Sequence, residues 1–79
     1  MKTLDQVAVG KTVKVGKIKG DSPTKRRIMD MGITKSTELY IRKVAPLGDP
    51  IQISLRGYEL TIRKEDAKNI EVEEIWLIK

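Results

Sequence analysis

Apolar and polar positions alternate along most of this chain with a period of two, and one segment breaks the rhythm. Val13 and Val15 stand on either side of Lys14, and Leu39 and Ile41 on either side of Tyr40. Ile51, Ile53 and Leu55 interleave with Gln52, Ser54 and Arg56; Leu60 and Ile62 flank Thr61, and Ile70 and Val72 flank Glu71. Successive side chains on a strand point to opposite faces, so each run predicts a strand with one buried face. Ile18 has the wrong parity for the run from Thr12. A bulge at Gly16 would turn it back inward. The Pro46–Pro50 segment joins two of these strands, and Gly57-Tyr58 joins the next pair tightly.

The break lies between Ser22 and Gly32. Ser22 can cap a helix, Pro23 suits the first helical position, and Gly32 can take the positive φ that ends one. The spacing predicts a helix of roughly ten residues, too short to persist without packing. Ile28 and Met31, with Met29 beside them, form its docking face; Lys25, Arg26 and Arg27 point outward. Leu4 and Val7 share one turn of the lead-in, and Lys64 to Asn69 read as a single polar turn. With short strands, close turns and no βαβ rhythm, the pattern predicts a mainly β fold. It is a small bent barrel of five or six antiparallel strands carrying one short α-helix. No linker divides residues 1–79, which predicts a single domain.

Composition narrows the chemistry. Among the 79 residues there is no cysteine and no histidine. That removes thiolate nucleophiles, the usual general base and the ligands that select zinc or iron(II). The carboxylates at Asp30, Glu38, Asp49, Glu59 and Asp66 lack the spacing of a calcium loop. No glycine-rich phosphate loop is present, and the serines at 22, 36 and 54 fall in structural positions. The expectation is therefore no enzyme, no catalytic residue, no cofactor and no metal ligand set. No apolar run approaches the ~20 residues that cross a bilayer, and Met1–Gln6 lacks the apolar core of a signal peptide. These readings predict a soluble cytoplasmic chain without direct membrane insertion.

Charge is uneven. The net charge is +5, with eleven Lys/Arg against four Asp/Glu in residues 1–45 and five against seven in residues 46–79. A basic front half suits nucleic acid, an acidic protein or anionic lipid equally well. Nucleic-acid readers interleave aromatics with their basic residues. The only aromatics here, Tyr40, Tyr58 and Trp76, stand apart from Lys25-Arg26-Arg27, so no nucleic-acid partner is expected. The candidate partner-binding residues are Lys25, Arg26 and Arg27; Leu47, an apolar residue at the centre of a loop; and Trp76. Trp76 lies in the tail Ile75-Trp76-Leu77-Ile78-Lys79, which does not alternate. The tail either pairs within its own barrel or mediates weak homo-oligomerisation through Trp76.

Three segments, taken in order, carry a resemblance. They are Arg26-Arg27-Ile28-Met29-Asp30-Met31-Gly32-Ile33-Thr34, then Arg42-Lys43-Val44-Ala45-Pro46-Leu47-Gly48-Asp49-Pro50-Ile51, then Arg56-Gly57-Tyr58. Together they resemble the ferrous-iron transport A family, FeoA, from Leu4 to about Val72. The resemblance implies an SH3-like barrel in the bacterial cytoplasm. It implies a protein-interaction module of ferrous-iron uptake, acting on the cytosolic part of the permease FeoB. It also leaves open a metal-responsive regulatory domain that itself binds a divalent transition metal, since metal-dependent repressors carry the same domain type. Lys35-Ser36 stand where the family often has Pro-Gly, which predicts a looser turn into the next strand. The Ile75–Lys79 tail lies beyond the match.

Overall fold

The computed structural model describes residues 2–75. The chain runs β1 (Lys2–Thr3), a 3₁₀ turn (Leu4–Gln6), β2 (Thr12–Ile18), α1 (Ser22–Asp30), β3 (Glu38–Val44), β4 (Ile51–Leu55), β5 (Tyr58–Ile62), the single helical turn α2 (Lys64–Ala67) and β6 (Ile70–Glu74). The six strands form one antiparallel sheet in the order β1-β6-β2-β3-β4-β5. The fold is mainly β, an SH3-like barrel with one α-helix of more than a single turn among the described residues.

The alternating residues build the core as their parity requires. Val13 and Val15 of β2, Leu39 and Ile41 of β3, Ile51, Ile53 and Leu55 of β4, Ile62 of β5, and Ile70 and Val72 of β6 are all buried. Leu4, Val7, Ile28, Ile33 and Ala67 from turns and helices join the same cluster. The β2–β6 register slips between Val15 and Lys17, which is the bulge at Gly16. Ile18 accordingly packs against the core. The β4–β5 turn is Arg56-Gly57, with Tyr58 already in β5. Its φ values of 47° and 84° are both positive, as a two-residue hairpin turn that follows the strand twist demands.

Helix α1 begins one residue earlier than its Ser-Pro start predicts. Asp21 is the cap, and its carboxylate accepts the Thr24 N–H at 2.9 Å. Ser22 is the first helical residue. Bonds from the Thr24 side chain and backbone, aided by the Arg27 charge, hold the Asp21 carboxyl below its ordinary pKa. At the other end Gly32 takes φ +94° and its N–H donates to the Met29 carbonyl at 2.9 Å, which closes the helix as expected. Ile28 is fully buried and Met31 half-buried against the core, but Met29 is 45% exposed and does not share their face. One hundred degrees of helical rotation from Ile28 carries Met29 to the flank.

The turn after α1 is not loose. Thr37 donates its N–H to the Thr34 carbonyl at 3.1 Å, and Ser36 donates to the Val15 carbonyl at 2.8 Å. The Thr37 hydroxyl, buried with its residue, accepts the Thr34 N–H at 3.2 Å. Ser36 reaches this geometry at φ +72°, a conformation in which a glycine would be unstrained. Ties to β2 hold the loop where glycine would have let it relax.

Candidate interaction surface

Consecutive residues on a helix diverge by about 100°; Arg26 and Arg27 border one recess, and Lys25 borders another. Arg27 lies toward α2, where its Nη2 donates to Asp66 Oδ1 at 2.6 Å. Asp66 is buried at 7% exposure, so this pair fastens α1 to α2. Arg26 is exposed and makes no ion pair among the described residues. With Ser22, Pro23, Arg27, Asp30 and Met31 it lines an open recess of ≈ 630 Å³ along the outer side of the helix. Lys25 is half-buried and lies by a different recess, with Lys17 and Lys35.

Leu47 is 91% exposed, the most exposed large apolar residue described. Its loop is nonetheless well fixed. Gly48 donates to the Ala45 carbonyl at 2.7 Å, and Ala45 donates to the Pro50 carbonyl at 3.1 Å. Asp49 Oδ1 accepts the Lys64 N–H at 3.0 Å, so the loop caps α2, where a carboxylate also suits the helix dipole. The Asp49–Pro50 peptide is cis. Leu47 therefore projects from a fixed turn and packs on nothing. It lines neither of the recesses beside α1, so the structure does not place it in one pocket with the basic residues. Trp76 and the rest of the tail after Ile75 lie outside the described residues. Ile75 itself continues the ladder, donating its N–H to the Thr12 carbonyl at 3.0 Å.

Beside Arg27–Asp66 and Asp49–Lys64, two further contacts escaped the sequence reading. The Tyr58 hydroxyl donates to the Met31 carbonyl at 3.0 Å, and it stands so near Gly32 that a Cβ there would overlap it. Arg56 Nη2 reaches the Thr37 hydroxyl at 3.4 Å. Both join residues far apart in the chain, and no local pattern announces them. The sequence reading also placed the cap at Ser22; Asp21, directly before it, is an equally good capping residue and is the one used.

Four more cations among the described residues stand in surface ion pairs. Lys2 and Lys11 meet Glu74 at 3.3 and 3.9 Å, Lys19 meets Glu71 at 3.2 Å, and Arg42 meets Glu59 at 3.8 Å. Such exposed pairs contribute little to stability. Among the described residues no three His, Cys, Asp or Glu side chains gather as they would around a metal ion. No helix there is long and apolar enough to cross a membrane.

The described residues thus form a six-stranded SH3-like barrel with a short helix on its flank and a fixed loop presenting one exposed leucine. The chain belongs to the FeoA family, whose domain model matches residues 2–74. A FeoA-like protein from Clostridium acetobutylicum is 46% identical, with a TM-score of 0.89 over 99% of this chain and 91% of that one. The fusion of Fe(2+) transport protein A with the Fe(2+) transporter FeoB from Porphyromonas gingivalis is 31% identical over 70 residues. These make up 89% of this chain but only 8% of the fusion protein. FeoA of Stenotrophomonas maltophilia, solved with zinc and described as a prokaryotic SH3 domain protein, shares the fold. It matches at 19% identity with a TM-score of 0.78, over 92% of this chain and 91% of that one.

Proposed function

We propose that this protein is a cytoplasmic accessory module of bacterial ferrous-iron uptake that docks on the cytosolic part of the permease FeoB. The observation that carries the reading is the Porphyromonas gingivalis relative, in which a domain like this one shares a chain with the transporter. Fusion turns association into an intramolecular event and raises the effective concentration of the partners. Leu47 is the anchor this reading assigns. A leucine on a fixed turn loses little freedom when it enters a pocket, so more of its burial appears as affinity. Arg26, unpaired on the outer side of α1, supplies electrostatic steering. Arg27 contributes by holding α1 in place.

The test is retention of the protein on the cytosolic domain of its cognate permease, with and without guanine nucleotide. Retention in at least one nucleotide state is expected. Leu47→Ala and Arg26→Glu should each weaken it while leaving the melting temperature unchanged. No retention in either state, or full retention by the Leu47→Ala/Arg26→Glu double variant, refutes the assignment.

The other reading, a domain that itself holds a divalent metal, draws support from the zinc complex of the Stenotrophomonas maltophilia protein. Anaerobic calorimetry with Fe(II) separates the two. Tight stoichiometric uptake by the isolated protein favours the metal-binding domain.

A further inference from the structure

Helix α1 has a second flank that the docking reading does not use. There Gly16, Lys17 and Ile18 of β2, Lys25 and Met29 of α1, and Lys35 of the following loop line an open, shallow recess of ≈ 290 Å³. Three lysines from three elements converge on it, and no carboxylate lines it. None of the three has an ion pair among the described residues, whereas Lys2, Lys11 and Lys19 each reach a glutamate. Glu71 lies opposite Lys17 in the strand register, but its carboxylate is engaged by Lys19 at 3.2 Å. The floor is apolar, with Met29 45% exposed and Ile18 half-buried.

The recess is held in shape by the backbone. Val15 accepts the Ser36 N–H at 2.8 Å and donates to the Thr37 carbonyl at 2.9 Å, which locks the Lys35 loop against β2 just before the bulge. The bulge at Gly16 in turn decides which way Lys17 and Ile18 point. Gathering like charges without a counter-charge is locally unfavourable, and no carboxylate lines this recess.

We propose that this recess binds an acidic peptide segment carrying one apolar side chain, with the apolar group on Met29 and Ile18 and flanking carboxylates at Lys17, Lys25 and Lys35. The charge argues for the occupant: three lysines with no acid among them, set around the apolar Met29 and Ile18, complement a short acidic peptide that carries one apolar side chain. Methionine suits such a floor, since its unbranched side chain adapts to what it meets. The proposal is independent of docking through Leu47 and Arg26, which lie elsewhere on the surface.

The experiment is amide chemical-shift mapping on the ¹⁵N-labelled protein. The main probe is a short peptide with leucine at its centre and glutamates on both sides. The comparison probes are the same peptide with alanine for leucine, inorganic phosphate, and phosphatidylserine vesicles. The expected result is saturable shifts at residues 16–18, 25, 29 and 35 with the leucine peptide. The alanine peptide should bind more weakly, and phosphate should not saturate. The K17Q/K25E/K35E variant, confirmed folded by its melting curve, should lose roughly tenfold or more in affinity. Glutamine replaces Lys17 so that no second acid faces Glu71. Leu47→Ala should bind the peptide as the wild type does. The proposal is overturned by shifts centred elsewhere, by equal binding of both peptides, by undiminished binding to the folded triple variant, or by vesicle binding that exceeds peptide binding.

Discussion

Replacing Gly32 by alanine tests how the end of α1 is tied to the β4–β5 hairpin. Gly32 has φ +94°, and holding an L-residue in left-handed backbone costs roughly 1–2 kcal/mol. The new Cβ would also overlap the Tyr58 hydroxyl. That hydroxyl is the end of a side chain 44% exposed, so the ring can swing outward instead of forcing the backbone apart. Its movement gives up the 3.0 Å bond to the Met31 carbonyl, about 0.5–1.5 kcal/mol. The expected loss for Gly32→Ala is therefore about 1.5–3.5 kcal/mol. A central value of about 2.5 kcal/mol corresponds to a fall in melting temperature of roughly 10–20 °C in a chain of this length. Tyr58→Phe removes the same hydrogen bond and should cost about 0.5–1.5 kcal/mol by itself. In the double variant that bond is lost only once and the overlap disappears. The double variant should then be no less stable than Gly32→Ala, leaving a favourable coupling of about 0.5–1.5 kcal/mol. Reversible urea unfolding of the four proteins closes the cycle. Strictly additive losses, or a Gly32→Ala loss below about 0.5 kcal/mol, would refute the account.

Three further outcomes follow from the structure. Arg27→Gln should destabilise by about 1–2 kcal/mol, less than for a fully buried pair because the arginine side is solvated; Arg26→Gln should stay within about 0.5 kcal/mol of wild type in urea unfolding. Asp49→Ala should cost about 1 kcal/mol by uncapping α2, and hydrogen exchange should speed up at the Lys64 amide, which Asp49 now holds, while the β2 amides keep their protection. Asp21 has a lowered folded-state pKa, so its capping contribution is present above the unfolded carboxylate value and lost as pH falls through the folded one; the melting-temperature gap between wild type and Asp21→Ala should shrink in strong acid and stay constant near neutrality.

Strand content was legible in this sequence because burial on one face imposes a period of two. Val13/Val15, Leu39/Ile41 and Ile51/Ile53/Leu55 could hardly be read otherwise. The bulge was legible for the same reason, since Ile18 violated the parity of its own strand beside a glycine. What the sequence left obscure were bonds between distant residues. Nothing near Asp49 points to Lys64, and nothing near Arg27 distinguishes it from Arg26 until Asp66 is placed beside it. The turn at Lys35-Ser36 misled in the opposite direction. Its residue types predicted looseness, but backbone bonds to β2 overrode local preference and held a serine at positive φ.

These bonds also account for much of the three segments that carry the resemblance in this chain. Within the three segments that carry the resemblance, Arg27 ties α1 to α2, Tyr58 ties the hairpin to the end of α1, and Asp49 ties the β3–β4 loop to α2. Gly32 is shaped by the tyrosine it faces, and Ile28, Ile33, Ile51 and Ile53 are core. Those positions are accounted for by the folding of this chain and need no partner to explain them. Leu47 and Arg26 are among those that are not. The leucine packs on nothing at 91% exposure, and the arginine has no ion pair among the described residues. A segment whose neighbours are committed to internal contacts presents its uncommitted side chains in a fixed geometry. That is the condition under which a single exposed leucine can contribute specific affinity rather than general stickiness. Docking on FeoB, as proposed, would draw first on the side chains of these segments that the fold itself does not use.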